Sequence, residues 1–137
     1  MNRYTYEELE VGMEASFERT VTQEMQDEFC RITGDENPLH LSDEFAVSKG
    51  YEKRVVYGLL SSSFYSALAG MYLPGERSLV HSIEIKFQKP VYIGDRLEIA
   101  GKVIEKNDTY RLIKVKAYMK NALGEKVSKA LIQVGVL

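Results

Sequence analysis

No charged residue occurs between Arg54 and Glu76. In a chain where Asp, Glu, Lys and Arg make up 28% of the residues, an uncharged run of this length must be hidden from water, in a bilayer or in a protein core. Val55 to Leu73 is largely apolar and long enough to cross a bilayer as one helix. Its details favour the core. Ser61, Ser62, Ser63 and Ser66 interrupt it, with Gly58 and Gly70. Tyr57, Tyr65 and Tyr72 are spread along it, whereas a membrane span gathers its aromatics at two interfaces. The pattern predicts a central helix, buried almost all round in a soluble domain and ended by Pro74-Gly75.

The flanking sequence says what buries it. After Pro74 the apolar period changes from helical to two. Ile83, Ile85 and Phe87 alternate with Glu84, Lys86 and Gln88, and are expected in the core. Leu97, Ile99 and Val103 form a second set; Ile113, Val115, Ala117 and Met119 a third; Ala130, Ile132, Val134 and Val136 a fourth. Strands with one buried and one wet face belong to antiparallel sheets. Pro90, Gly94-Asp95, Asn107-Asp108 and Asn121 to Gly124 supply the turns. Before the apolar run, Met13 to Val21 reads as a first strand. Thr22 reads as the N-cap of a helix from Gln23 to Thr33, with Met25, Phe29 and Ile32 on its core face and Gly34 as its stop. Asp43 to Lys49 suggests a further short helix, and Gly50 to Arg54 a polar link. The expectation is one α+β domain over residues 1–137, with an antiparallel β-sheet wrapped around a long central α-helix. A chain of this size buries roughly 68–70% of its unfolded surface, enough for a real core.

Composition removes several function classes. The formal charge of −2 gives no electrostatic reason to expect nucleic acid. A single cysteine, Cys30, excludes an internal disulfide and any multi-Cys zinc site. With only His40 and His81 beside it, no metal is expected. Met1 to Glu8 has no apolar stretch of signal-peptide type, so a cytoplasmic location is expected. Cys30 reads as a half-buried helix residue and His81 as a structural or interface residue. Ser61-Ser62-Ser63 does not match a G-x-S-x-G nucleophile elbow. Lys49, Lys53 and Arg54 form a basic cluster, read either as a solvated link or as a phosphate contact.

The segment with most chemistry is Gly34-Asp35-Glu36-Asn37-Pro38-Leu39-His40. Pro38 fixes its own φ and pushes Asn37 towards an extended conformation, so Asp35 and His40 sit on a bent, rigid segment. A carboxylate and an imidazole so close can hold a water and move protons to and from it. Residue types alone leave open the plainer alternative, in which Asp35 and Asn37 only make turn hydrogen bonds.

The order of residues says more. Phe29 to His40 resembles the signature of the (R)-specific enoyl-CoA hydratases and MaoC-like dehydratases, which runs aromatic, small, Gly, Asp, any residue, Asn, Pro, aliphatic, His. Arg54-Val55-Val56-Tyr57-Gly58-Leu59-Leu60 is similar to that family's entry into its central helix. Phe87 to Asp95 is similar to the strand and turn that follow. The resemblance implies the hot-dog fold, a homodimer or higher homo-oligomer, and a substrate that is a CoA or acyl-carrier-protein thioester, with no metal or redox cofactor. It implies Asp35 and His40 as the catalytic pair, the backbone N–H of Gly58 as the oxyanion donor, Ser66 near the site, and Asn37 holding the loop. Two positions depart from the pattern: Tyr57 stands where His is usual, and Ser42 where Asp is usual. Tyr57, bulkier than His, is expected to narrow the acyl channel and favour short chains. Two rivals remain at this point: an acyl-thioester hydrolase on the same fold, and a non-catalytic acyl-binding subunit.

Overall fold

A computed structural model describes residues 1–137. Strand β1 (Glu14–Thr20) leads to helix α1 (Gln23–Thr33), then to two short helices, α2 (Pro38–Leu41) and α3 (Asp43–Ser48). The central helical segment follows as α4 (Gly58–Ser62), α5 (Phe64–Ala67) and a π turn, Leu68–Tyr72. Four strands complete the chain: β2 (Ser78–Phe87), β3 (Arg96–Asn107), β4 (Leu112–Lys120) and β5 (Lys126–Val136). All pairings are antiparallel, in the order β1-β3-β4-β5-β2. The expected sheet wrapped around a central helix is therefore present.

Alternation places Leu97, Ile99 and Val103, then Ile113, Val115, Ala117 and Met119, then Ile132 and Val134 in the core. Leu60, Tyr65, Leu68, Ala69 and Leu73 meet them from the helical segment. Contact is close where Gly101 passes Leu68: a Cβ at position 101 would lie 2.6 Å from a Leu68 methyl. The segment before β1 is pinned to the β3–β4 turn. Tyr6 donates to Asp108 at 2.6 Å, with Lys106 and Arg111 on its ring, and Arg111 pairs with Glu7. Thr22 caps α1 as expected, and Gly34 ends it with φ of 71°.

Four expectations need correction. The central helix is not uniform. The Ser61 and Ser63 hydroxyls donate back to the carbonyls of Gly58 and Leu60, and the last turn is of π type. Nor is it buried all round, since Leu59 and Met71 are exposed. The core face of α1 is rotated: Ile32 is 82% exposed, and Gln26 is the fully buried residue. Finally, β2 is an edge strand, so Ile83 and Phe87 are 40% and 56% exposed and only Ile85 packs against the core. Periodicity identified their shared face but not what covers it.

Candidate active site

The segment after α1 is stiffened by its own side chains. Asp35 Oδ1 accepts the Asn37 N–H at 3.0 Å, and Asn37 Oδ1 accepts the Leu39 N–H at 3.0 Å. Asn37 is thus an N-cap and Pro38 the first residue of a helical turn, a favoured pair at a helix start. His40 is presented by that turn, which forms part of the bent, rigid segment expected from Pro38. Ser42 caps the next helix by accepting the Phe45 N–H at 3.1 Å, which explains a serine there: Ser and Asp are both good caps.

The chain then returns beside His40. The Val55 N–H donates to the Leu39 carbonyl at 3.0 Å, and the Val55 carbonyl lies 2.8 Å from His40 Nδ1. A carbonyl can only accept, so the neutral imidazole carries its proton on Nδ1 and keeps the Nε2 lone pair for the cleft. Three residues on, at Gly58, α4 begins. The Leu60 and Ser61 N–H groups bond to the Tyr57 carbonyl, while those of Gly58 and Leu59 have no acceptor, and no side chain caps this end. Free N–H groups at a helix start carry positive potential.

These parts converge. Asp35, His40, Tyr57, Gly58 and Phe87 line a cleft of about 260 Å³. His40, Gly58 and Phe87 also border a larger neighbouring cleft of about 310 Å³, which continues past Ser61 to Ser128. Its far end is partly polar, because Ser128 shares a 2.8 Å hydrogen bond with Tyr65, whose phenol burial holds at about 12. Phe87 stands between the clefts. A Cβ on Gly58 would come within 2.9 Å of its ring, so glycine leaves the N–H approachable only because nothing is added there.

Tyr57 lines the cleft and is also tied into the segment behind it. It is 2% exposed, its ring lies 4.9 Å from Phe29 and 4.1 Å from His40, and its hydroxyl donates to the Asp35 carbonyl. Burial, with Cys30 and the Asp35 carboxylate beside it, pushes the phenol far above its ordinary range, so it remains a donor. These contacts are those of a brace for the Asp35–His40 segment, while the residue also borders the 260 Å³ cleft. Ser66 lies elsewhere: with Ser62 it lines a groove between the helical segment and β2, beside Val80 and Ile83. Of the basic cluster, Arg54 pairs with Asp43 at 3.6 Å and Lys53 donates to the Ile93 carbonyl at 3.4 Å, so both brace the link.

One residue escaped the sequence reading. Gln26, fully buried, donates from Nε2 to the carbonyls of His40 at 3.1 Å and Val55 at 3.2 Å, and accepts the Tyr57 N–H at 3.3 Å. Its signal was spacing: Gln26, Phe29 and Cys30 stand at i, i+3 and i+4, one helix face.

Comparison with known proteins fits this geometry. The model of the MaoC-like domain matches residues 7–124. A 3-hydroxybutyryl-CoA dehydratase of Methylorubrum extorquens is 36% identical over 100 residues, covering 73% of this chain and 64% of that protein. An (R)-specific enoyl-CoA hydratase of Aeromonas caviae is 35% identical over 89 residues, 65% of this chain and 66% of that one. The chain thus spans just under two thirds of the length of these relatives. The solved (R)-hydratase of A. caviae superposes with a TM-score of 0.89 at 26% identity, over 94% of this chain and 98% of that one. R-hydratase PhaJ1 of Pseudomonas aeruginosa gives 0.88 at 27%, over 96% and 84%. The architecture is the hot-dog fold shared with these hydratases.

Proposed function

The chain belongs to the MaoC-like domain family, and from that premise we propose that it adds water to trans-2-enoyl thioesters, giving (R)-3-hydroxyacyl thioesters, or runs the reverse dehydration. The observation that carries this reading is the shared cleft: Asp35, His40 and Gly58 face one volume. Water held between the Asp35 carboxylate and His40 Nε2 loses a proton to this pair as its oxygen adds to Cβ. The electron pair of the double bond moves through Cα onto the thioester oxygen. There the unpartnered Gly58 N–H meets the developing charge, where a fixed donor helps most. The pair then delivers a proton to Cα, and one water has been added. Asn37 holds the loop, and Ser66 has no part in this cleft. The similarity to a named CoA dehydratase and a named enoyl-CoA hydratase supports the same reaction class.

The assembly proposed with this reading is a homodimer. The outer edge of β2 is unpaired, and Leu79, Ile83 and Phe87 are exposed along it, next to Leu59 of α4. An open apolar edge of this kind invites pairing with a second copy. Phe87 belongs to both the edge and the cleft, so assembly would also fix the ring beside Gly58.

The test follows the enoyl-thioester absorbance of crotonyl-CoA and of the same acyl group on a carrier protein, with a thiol reagent in parallel. Loss of conjugation without thiol release is expected, and the two arms identify the preferred carrier. Thiol release would establish the hydrolase rival. Tight binding with no turnover would establish an acyl-binding subunit.

A further inference from the structure

We propose that Gln26 is a positioning residue, holding the base His40 and the oxyanion donor Gly58 in one rigid frame; this rests on the function proposed above. The position calls for an apolar side chain. Gln26 is the one fully buried residue of α1 and packs into the core beside Phe29. A primary amide is costly there unless each polar atom is matched. All are matched, and all to the backbone of the site: the His40 and Val55 carbonyls by Nε2, the Tyr57 N–H by Oε1. The His40 carbonyl and the Tyr57 N–H have no backbone partner, so the amide is what satisfies them. Its orientation is dictated, since the flipped amide would set oxygen against two carbonyls and NH₂ against an N–H.

What the amide joins matters more than that it is satisfied. The Val55 carbonyl takes two donors, the Gln26 amide and His40 Nδ1–H. Gln26 therefore orients the acceptor that sets the imidazole's tautomer and direction. Its third bond fixes the peptide entering Tyr57, and the next N–H along the chain is that of Gly58. One side chain from α1 thus spans the two segments that carry the base and the oxyanion donor. The two segments are also joined by the Val55 N–H to the Leu39 carbonyl and the Tyr57 hydroxyl to the Asp35 carbonyl, and beside them by the Arg54 N–H to the Asp43 carboxylate, but only Gln26 reaches both the His40 carbonyl and the Tyr57 N–H. A shift of about 1 Å between catalytic groups costs up to about 100-fold in rate. Gln26 touches no reacting atom; it acts through His40 and Gly58.

The variant is Gln26→Met, which keeps volume and removes all three bonds. Its kcat is expected to fall about 10- to 100-fold, with KM changed less than about threefold, because the substrate-contacting groups remain present. The second readout is the ¹⁵N spectrum of the histidine rings in a His81→Gln background, where His40 is the only histidine. Gln26→Met should lose the single Nδ1–H form and show faster Nδ1–H exchange; a merely structural role would leave the ring signals in place. Folding is checked by cooperative unfolding. Where Gln26→Met does not fold, Gln26→Asn is used, which keeps the amide but retracts it, and a partial loss of kcat is expected. A folded Gln26→Met or Gln26→Asn enzyme with kcat within about twofold of wild type, or with unchanged His40 signals, overturns the proposal. A wild-type protein that does not hydrate crotonyl-CoA overturns the proposed function instead, and the ring spectra alone then decide whether Gln26 holds His40.

Discussion

Tyr57→Phe separates two readings of the residue that departs most from the family pattern. If Tyr57 gates the acyl channel, changing it redistributes activity among chain lengths, by about 1–3 kcal/mol per methylene. If it braces the catalytic segment, every substrate suffers alike. The structure favours the brace. The substitution keeps the ring packed against Phe29 and His40 and removes only the bond from the hydroxyl to the Asp35 carbonyl. Such a bond contributes about 0.5–1.5 kcal/mol net. The Asp35 loop is exposed, so water can replace the donor and the cost falls near the lower end. For a domain of this size that lowers Tm by about 2 °C. On the proposed function the kinetic effect is larger, because the lost bond sits on the residue that would carry one of the two catalytic groups. A tenfold loss of kcat corresponds to about 1.4 kcal/mol of misplacement. The phenol is held far above its ordinary range and stays protonated, so the loss should not vary with pH near neutrality. The assay is kcat and kcat/KM over a series from crotonyl-CoA to decenoyl-CoA. A uniform drop with an unchanged chain-length profile is expected. An altered profile, or unaltered kcat, refutes the brace.

Three further outcomes follow from the same structure. His40→Ala and Asp35→Asn should each lower kcat by about 10²- to 10⁴-fold, with the double variant little worse because the two act as one unit; a folded His40→Ala enzyme that keeps most of its rate removes the assigned pair. Arg111 draws the Glu7 carboxyl down from its ordinary 4.5 to about 2, so the pair stabilises the fold fully above the ordinary value and loses that contribution as pH falls towards 2. Denaturant midpoints of wild type and Glu7→Gln should therefore converge with acidification across this window, and a constant gap would show that the pair does not matter. Replacing Leu79 and Ile83 by lysine on the open edge of β2 should yield monomers in sedimentation, with activity reduced; a wild-type monomer that is fully active at micromolar concentration contradicts the dimer.

The legible parts of the sequence were those where one physical rule dominates. The missing charges from Val55 to Gly75 marked the buried segment, and strict alternation in β3, β4 and β5 marked the inner face of the sheet. Thr22 and Gly34 marked the ends of α1 because a cap and a left-handed residue each have few chemical solutions. Asn37-Pro38 carries a start signal just as clear, but the constraint on φ at Pro38 says only that the segment is bent and rigid, and the helical turn that it begins is seen only in the structure. The candidate catalytic segment was legible as an ordered string of residues. Its geometry was not, since nothing in the string says that Val55 returns to hold His40.

The misread positions share one cause: periodicity reports that a face is shared, not what it meets. Ile83 and Phe87 alternate as well as Ile113 and Val115 do, yet β2 lies at the edge, and its apolar row, on the same face as Ile132, is only partly covered by the helical segment. Alternation reads such side chains as core because it cannot distinguish a central strand from one at the edge of the sheet. Gln26 is the converse. Its polarity implied solvent, while its spacing with Phe29 and Cys30 implied burial, and the conflict is resolved only by three backbone groups distant in sequence. A residue that breaks the local apolar pattern while keeping its phase is therefore informative, because burial of an amide is tolerated only where unmatched backbone groups await it. On the proposed function those groups are the ones that would orient the base and the oxyanion donor, which would place the exception to the packing rule at the point where the chemistry needs rigidity.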